Sequence, residues 1–232
     1  MKLAVMQPYF FPYIGYFQMV NAVDKFIFYD DVNYIKGGWI NRNNIIQNNQ
    51  KKLITLNLIA SSTNKNINEI FISNRNSKIL KTVQQAYSKA PFFDDVIPVI
   101  EEIINPCSPD SLISDIAGKS IIKVSEYLGI ETKFEYSSEV YPDTKGMDRA
   151  DRLIEICKRN NASTYINAAG GADLYSKDYF KKEEIGLSFI QNQIQEYQQF
   201  NNEFIPYLSI IDVLMFNSIE VIKKMLNNYE LK

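Results

Sequence analysis

A chain of 232 residues, 46% apolar and 22% charged, has the length and balance of one globular α/β domain, or of one domain with a small appendage. Its 25 Lys+Arg against 27 Asp+Glu give a net charge of −2, which removes any general electrostatic case for binding nucleic acid or an anionic membrane surface. Histidine is absent, so Ser-His-Asp and Cys-His catalysis, histidine-ligated zinc and an imidazole proton shuttle are excluded.

Two cysteines, Cys107 and Cys157, are too few for a four-thiolate site or a disulfide scaffold, so no metal site is expected and a reducing compartment fits. The N-terminus shows one Lys, a short apolar strand and Gln7-Pro8 in place of a signal peptide. No stretch approaches the roughly 18 apolar residues that span a bilayer. The expected location is therefore cytoplasmic, without membrane insertion.

Leu3-Ala4-Val5-Met6, stopped by Gln7-Pro8, reads as a buried strand. From Gly15 to Val23, Tyr16, Phe17, Val20 and Val23 recur at helical spacing; Phe26-Ile27-Phe28-Tyr29 follows as a second strand. Lys52 to Leu58 reads as a third, so the opening predicts β-α-β-loop-β and the start of a parallel sheet. Helices are predicted from Ser77 to Lys89, from Phe92 to Ile104, and from Ser111 to Leu128, the last capped by Asp110 or Ser108 and ended by Gly129. A fourth strand is predicted from Thr132 to Ser137, then a helix from Arg149 to Asn161 with Leu153, Ile154 and Cys157 inward. A fifth strand, Thr164-Tyr165-Ile166, and a sixth, Leu187 to Gln191, precede one C-terminal helix from Ile210 to Asn228, begun at Ser209. The Asn-rich segments 41–49 and 61–68 read as surface loops. Residues 1–195 form the expected α/β unit, with a helical extension over 196–232 packed on it.

The chemistry is expected at the carboxyl ends of the strands, where open α/β sheets bind ligands. Gln7 to Phe17 lies between the first strand and the first helix. Gly15 would allow close backbone approach, and the free N–H groups of the helix start favour an anion. A rigid hydrophobic loop covering the sheet explains the same spacing. Asp30 and Asp31, after the second strand, are the candidate catalytic acids: they would bind an amine or accept its proton. Solvated loop acids are the plain alternative. In the polar loop that follows, Lys36, Trp39, Asn41 and Arg42 are candidate binding residues. Trp39 suits stacking on a sugar or nucleobase, or anchors the loop; Arg42 offers a fork for phosphate or carboxylate, or makes a surface ion pair. Lys145 and Arg149 stand before and at a helix N-terminus, as for a phosphate or as a solvated helix start. Gly170 and Gly171 after the fifth strand would let a substrate near the backbone, with Tyr175 beyond.

Three blocks, Gln7-Pro8-Tyr9-Phe10-Phe11-Pro12-Tyr13-Ile14-Gly15-Tyr16-Phe17, Tyr29-Asp30-Asp31-Val32-Asn33-Tyr34 and Gly38-Trp39-Ile40-Asn41-Arg42-Asn43, closely resemble the WbqC-like family. So do Tyr87-Ser88-Lys89-Ala90-Pro91-Phe92-Phe93, Arg152 to Cys157 and Leu208 to Asp212, in the same order. The resemblance implies a place in bacterial O-antigen and polysaccharide biosynthesis, and a Gly-rich turn followed by Tyr in that family raises the weight on Gly170, Gly171 and Tyr175. The strand, Pro-containing loop and aromatic-x-Gly-aromatic also resemble the opening of the nucleotidylyltransferase-like Rossmann superfamily, where a His-x-Gly-His signature holds ATP phosphates. Here those positions read Tyr13-Ile14-Gly15-Tyr16, phenols without the imidazolium charge. The implied fold is a Rossmann-like, mainly parallel sheet flanked by helices. The implied function is transfer of an acyl or aminoacyl group from an acyl donor to a nucleotide-linked amino sugar, with ATP as an open question and a homodimer allowed. A non-catalytic protein that binds a nucleotide sugar or partners a glycosyltransferase is the alternative.

Overall fold

The computed structural model describes residues 1–76, 78–200 and 203–232. Strand β1 (Lys2–Met6) leads through the aromatic loop to helix α1 (Ile14–Asn21), and β2 (Lys25–Phe28) returns parallel to β1, with Ala4 opposite Phe26. The predicted third strand belongs elsewhere. β3 (Arg42–Gln47) and β4 (Gln50–Thr55) form a separate antiparallel hairpin. Asn48 and Asn49, both at positive φ (50° and 61°), make the two-residue connection, the backbone that such a tight hairpin turn requires and that Asn tolerates. The expected surface loop at 41–49 is thus mostly a strand; its Asn-rich composition masks the burial of Asn43, Ile45 and Ile46.

Helices α2 (Lys78–Tyr87), α3 (Phe93–Ile104) and α4 (Ile113–Leu128) follow. The predicted start of the first of these, Ser77, lies outside the described residues. α4 takes Leu112 as its cap residue with no side-chain bond, in place of Asp110 or Ser108, while Gly129 closes it in the left-handed conformation (φ 68°) as expected. β5 (Lys133–Tyr136) runs directly into the short α5 (Ser137–Val140), then α6 (Arg149–Arg159) leads to β6 (Thr164–Ala168). α7 (Lys177–Lys182), which the sequence reading missed, precedes β7 (Gly186–Asn192). The single C-terminal helix is instead two, α8 (Ile210–Phe216) and α9 (Ile219–Leu226). Asn217 is extended between them, and the Ser218 hydroxyl caps the second. β8 (Tyr229–Leu231) ends the chain as an unforeseen antiparallel strand on β7.

The main sheet has the order β5-β2-β1-β6-β7-β8, with its first five strands parallel. It is the expected Rossmann-like arrangement. Alternation along β1 and β2 divides the core: Ala4, Phe26 and Phe28 face the cluster built with α1, α4 and α9, while Leu3, Val5 and Ile27 face the one built with α6 and α7. β1 pairs with β2 on one side and β6 on the other, so chain order reverses there and a crevice opens at its carboxyl end. No helix among the described residues is long and apolar enough to cross a membrane.

Candidate functional site

Asp30 and Asp31 emerge at the carboxyl end of β2 and are almost fully buried. Because α5 begins at the residue after the end of β5, Ser137 and Ser138 arrive directly on these acids. The Ser137 hydroxyl lies 3.1 Å from Asp30 Oδ1 and 2.6 Å from Asp31 Oδ1, so its one proton is shared between them. Ser138 donates its backbone N–H to Asp30 Oδ1 at 3.0 Å and its hydroxyl to Oδ2 at 2.5 Å. Asp31 Oδ2 accepts from Arg152 Nη2 at 2.5 Å; Arg152 also donates to Thr144 Oγ1 (2.9 Å) and lies 4.7 Å over the Tyr29 ring. Burial works to lower the Arg152 pKa, but its bond to Asp31 and the Tyr29 and Asp31 charges together outweigh this and the net shift is upward. Asp31 therefore fastens the end of β2 to α6, whereas Asp30 has no cation partner among the described residues. Beside Asp30 stand Tyr136 and Asp115 of α4. Burial raises the Asp115 carboxyl above its ordinary range, the Ser114 hydroxyl opposes this and the Asp30 charge adds to it. Tyr136 is raised in turn by burial and by the charges of Asp115 and Asp30.

The second feature is an aromatic cavity of about 250 Å³ lined by Tyr9, Pro12, Tyr13, Trp39, Asn43 and Tyr207. Asn43 donates its amide to the Phe11 carbonyl (2.8 Å), and Phe10 N–H donates to the Trp39 carbonyl (3.1 Å), which ties the aromatic loop to the hairpin. The Tyr13 hydroxyl donates to Asn192 Oδ1 (3.2 Å) at the carboxyl end of β7. Tyr207 approaches from the tail with its ring centroid 6.2 Å from that of Tyr13. Burial raises the Tyr9 and Tyr13 pKa values, so both phenols stay protonated donors. Tyr9 links the two features: its ring is 5.5 Å from that of Tyr16, and Tyr16 lies close enough to Tyr136 for the two phenols to repel as anions. A larger cavity of about 490 Å³ near Asp24 and Gly129–Lys133 opens at the amino ends of β2 and β5, away from all these residues.

Several predicted binding residues are engaged inside the protein. Tyr16 is buried and donates to the Gln7 carbonyl (2.9 Å). α1 begins at Ile14, and a side chain at Gly15 would stand 2.3 Å from Tyr13 Cε2; the Tyr13 ring occupies the approach that Gly15 leaves open. Asn41 is buried, accepting from Tyr34 (2.9 Å) and donating to the Leu56 carbonyl (2.8 Å). Arg42 donates to the Gly37 and Gly38 carbonyls and lies 6.0 Å over Trp39, so it braces the loop and makes no ion pair among the described residues. Trp39 is 43% exposed at the cavity rim, and Lys36 is exposed nearby. Asp212, near the start of α8, accepts from Tyr87 (2.8 Å), Tyr197 (2.7 Å) and Gln199 (2.7 Å) in the core.

The remaining candidates collect on the opposite face of the sheet. Lys145 and Arg149 are exposed, with Asp148 capping α6 through Ala150 N–H (3.1 Å). Tyr175 packs on the α6 and α7 cluster; burial raises its pKa while the Arg149 charge pulls it down, which places the two side chains near each other. A side chain at Gly171 would meet Asn167 Nδ2 at 2.5 Å, whereas Gly170 faces open space. The candidates thus form two groups, Tyr9, Tyr13, Trp39, Asp30 and Asp115 on the α1 and α4 side, and Arg149, Tyr175 and Asp31 on the α6 side. Asp115, Tyr136, Ser138, Tyr9 and Tyr207 were not singled out from sequence. For Tyr207 the signal available was an apolar Phe204-Ile205-Pro206-Tyr207 run within a polar tail; for Asp115, one acid on an amphipathic helix carries none.

Five parallel strands, a reversal of chain order at β1, and acids and aromatics gathered at the carboxyl edge define a Rossmann-like α/β protein with its candidate site in the usual place for that fold. The chain belongs to the WbqC-like protein family, whose model matches residues 7–224. It is 27% identical over 220 residues to a protein of Mycobacterium tuberculosis (strain ATCC 25618 / H37Rv) named "Uncharacterized protein Rv1507c", with 93% of each chain covered. No solved structure matches it.

Proposed function

We propose that the protein is an enzyme of bacterial O-antigen or related polysaccharide assembly that transfers an acyl or aminoacyl group to the amine of a nucleotide-linked amino sugar. The observation that carries this reading is the junction at Tyr9: a cavity walled by aromatic rings on one side, and on the other Tyr16, leading to Asp30, Asp115 and Ser138. A flat ring suits the first and an amine the second. The amine nitrogen would bond to the acyl carbon as the bond to the leaving group breaks. The proton released would pass to Asp115, whose raised pKa and surface position suit a base better than the enclosed Asp31. Asp30 would hold Ser138 and add negative charge opposite the amine. Direct transfer between two bound substrates fits, because no activated nucleophile stands at this edge. A donor activated beforehand is favoured over ATP, since Tyr13 and Tyr16, at the positions where the resembled superfamily holds ATP phosphates, are bonded internally.

The test is incubation of the protein with a dTDP-linked amino sugar and acyl-CoA thioesters, or amino acids with ATP, followed by mass spectrometry. A product heavier by the acyl group supports the transferase. Nucleotide-sugar binding without turnover under every donor would replace it with the binding-protein reading.

A further inference from the structure

We infer that the aromatic cavity is the nucleobase site of a nucleotide-linked substrate, with Tyr207 as its outer wall; this deepens the nucleotide-sugar reading and rests on it. Four of the six lining residues are Tyr or Trp, one is Pro, and the sixth, Asn43, spends its amide on the Phe10 and Phe11 carbonyls and its oxygen on Asn44 N–H. No charged side chain lines the cavity, so a bound group makes no ion pair with its walls. Aromatic faces accept any flat π-system, whereas a sugar ring would bury hydroxyls that this lining could satisfy only at phenol tips and one indole N–H. The volume of about 250 Å³ falls below the roughly 300–1,000 Å³ of sites that take a whole small molecule, so one ring enters and the remainder stays outside. That admits a flat base and leaves the sugar and diphosphate outside. Arg42, over Trp39 at the rim, supplies positive charge where a diphosphate leaving the cavity would pass, with the exposed Lys36 in the same loop.

The setting of Tyr207 points the same way. It is 62% exposed and held at φ +61°, a backbone conformation costly for a non-glycine residue. The chain around it is clamped: the Gln199 side chain bonds to Ile205 N–H (2.7 Å) and to its carbonyl (3.2 Å), Ser209 Oγ donates to the Phe11 carbonyl (2.7 Å), and Ile210 N–H donates to the Pro12 carbonyl (2.8 Å). The tail is therefore fixed to the aromatic loop with a large exposed ring held over the cavity mouth.

Trp39 is the single tryptophan, so its emission reports on this cavity directly. The full chain is titrated with dTDP, UDP, ADP, GDP, methyl glucoside and inorganic pyrophosphate. Saturable change with at least one nucleoside diphosphate, absent with methyl glucoside and pyrophosphate, is expected. Tyr207→Ala should weaken that nucleotide about 5- to 150-fold, the range for losing one base-stacking partner, and Tyr207→Phe should retain it. Circular dichroism confirms folding, which removal of so exposed a ring leaves intact. Competition by methyl glucoside, no nucleotide response at all, or unchanged affinity in Tyr207→Ala would each overturn the base site. If acyl transfer proceeds with an unchanged KM in Tyr207→Ala, the base site fails while the transferase stands. If a nucleotide binds as expected and no donor is consumed, the transferase fails alone.

Discussion

Arg152→Met removes the cation from a pair whose side chains are only 4% and 3% exposed. The methionine fills similar space, but Asp31 is left as a buried carboxylate with a half-share in the Ser137 proton. Breaking a buried pair from one side costs about 3–5 kcal/mol. The retained Ser137 contact argues for the lower end, and loss of the cation over Tyr29 adds about 0.5–2 kcal/mol. The expected loss is therefore roughly 4 kcal/mol, a large part of the about 5–15 kcal/mol that holds a typical domain together. Urea denaturation followed by circular dichroism measures it, with an unchanged slope m certifying the comparison. Asp31→Asn with Arg152→Met should be less destabilised than the two single losses added, because the stranded charge is gone. A loss below about 1 kcal/mol in Arg152→Met would show that the pair is not a structural fastening, and Asp31 would return as a candidate for chemistry.

Gly15→Ala should push the Tyr13 ring off α1 and break its bond to Asn192, costing about 1–3 kcal/mol and altering Trp39 emission; a variant unchanged in both denaturation and emission would refute the packing argument. Arg42→Ala should weaken a dTDP-sugar about 10- to 150-fold in calorimetric titration if the diphosphate leaves the cavity beside Trp39, while the same loss in Arg149→Ala alone would move the phosphates to the α6 side of the sheet. Asp212 provides the pH prediction. Burial raises its folded carboxyl pKa, against the pull of Tyr197, Tyr87 and Gln199, so its contribution is full below the unfolded value and is lost as pH rises through the folded one. The melting temperature at about pH 7 minus that at about pH 4 should be more positive in Asp212→Asn than in the parent chain, and an equal or more negative difference in the variant would contradict this.

The legible part of the fold was the part with strong local signals. Leu3–Met6 and Phe26–Tyr29 are apolar runs too short for helices, and Gly129 sits where a long amphipathic pattern ends. The hairpin was missed because Asn43, Asn44, Asn48 and Asn49 look like loop residues; Asn43 is nevertheless buried because its amide meets the Phe10 and Phe11 carbonyls, over 30 positions away. The break between α8 and α9 was hidden because both helices present apolar faces in nearly one phase, and Asn217-Ser218 reads equally well inside a helix or as a cap. Within the site, Trp39, Tyr13 and the acids were legible as unusual residues at strand ends, but their partners were not.

By itself the sequence determined the chemical vocabulary: no imidazole, two isolated thiols, an excess of aromatic rings, and paired acids just after a strand. It also determined that those groups lie at the carboxyl ends of strands, since periodicity and turn residues are local properties. Only the tertiary structure decided which groups meet. Arg152 reaches Asp31 across 121 positions because α6 packs on the face of the sheet opposite α1, and Tyr207 reaches Tyr13 because the tail bonds back to the Phe11 and Pro12 carbonyls. Such contacts arise from burying two faces of one sheet at once. That is a property of the whole chain, and no local window encodes it.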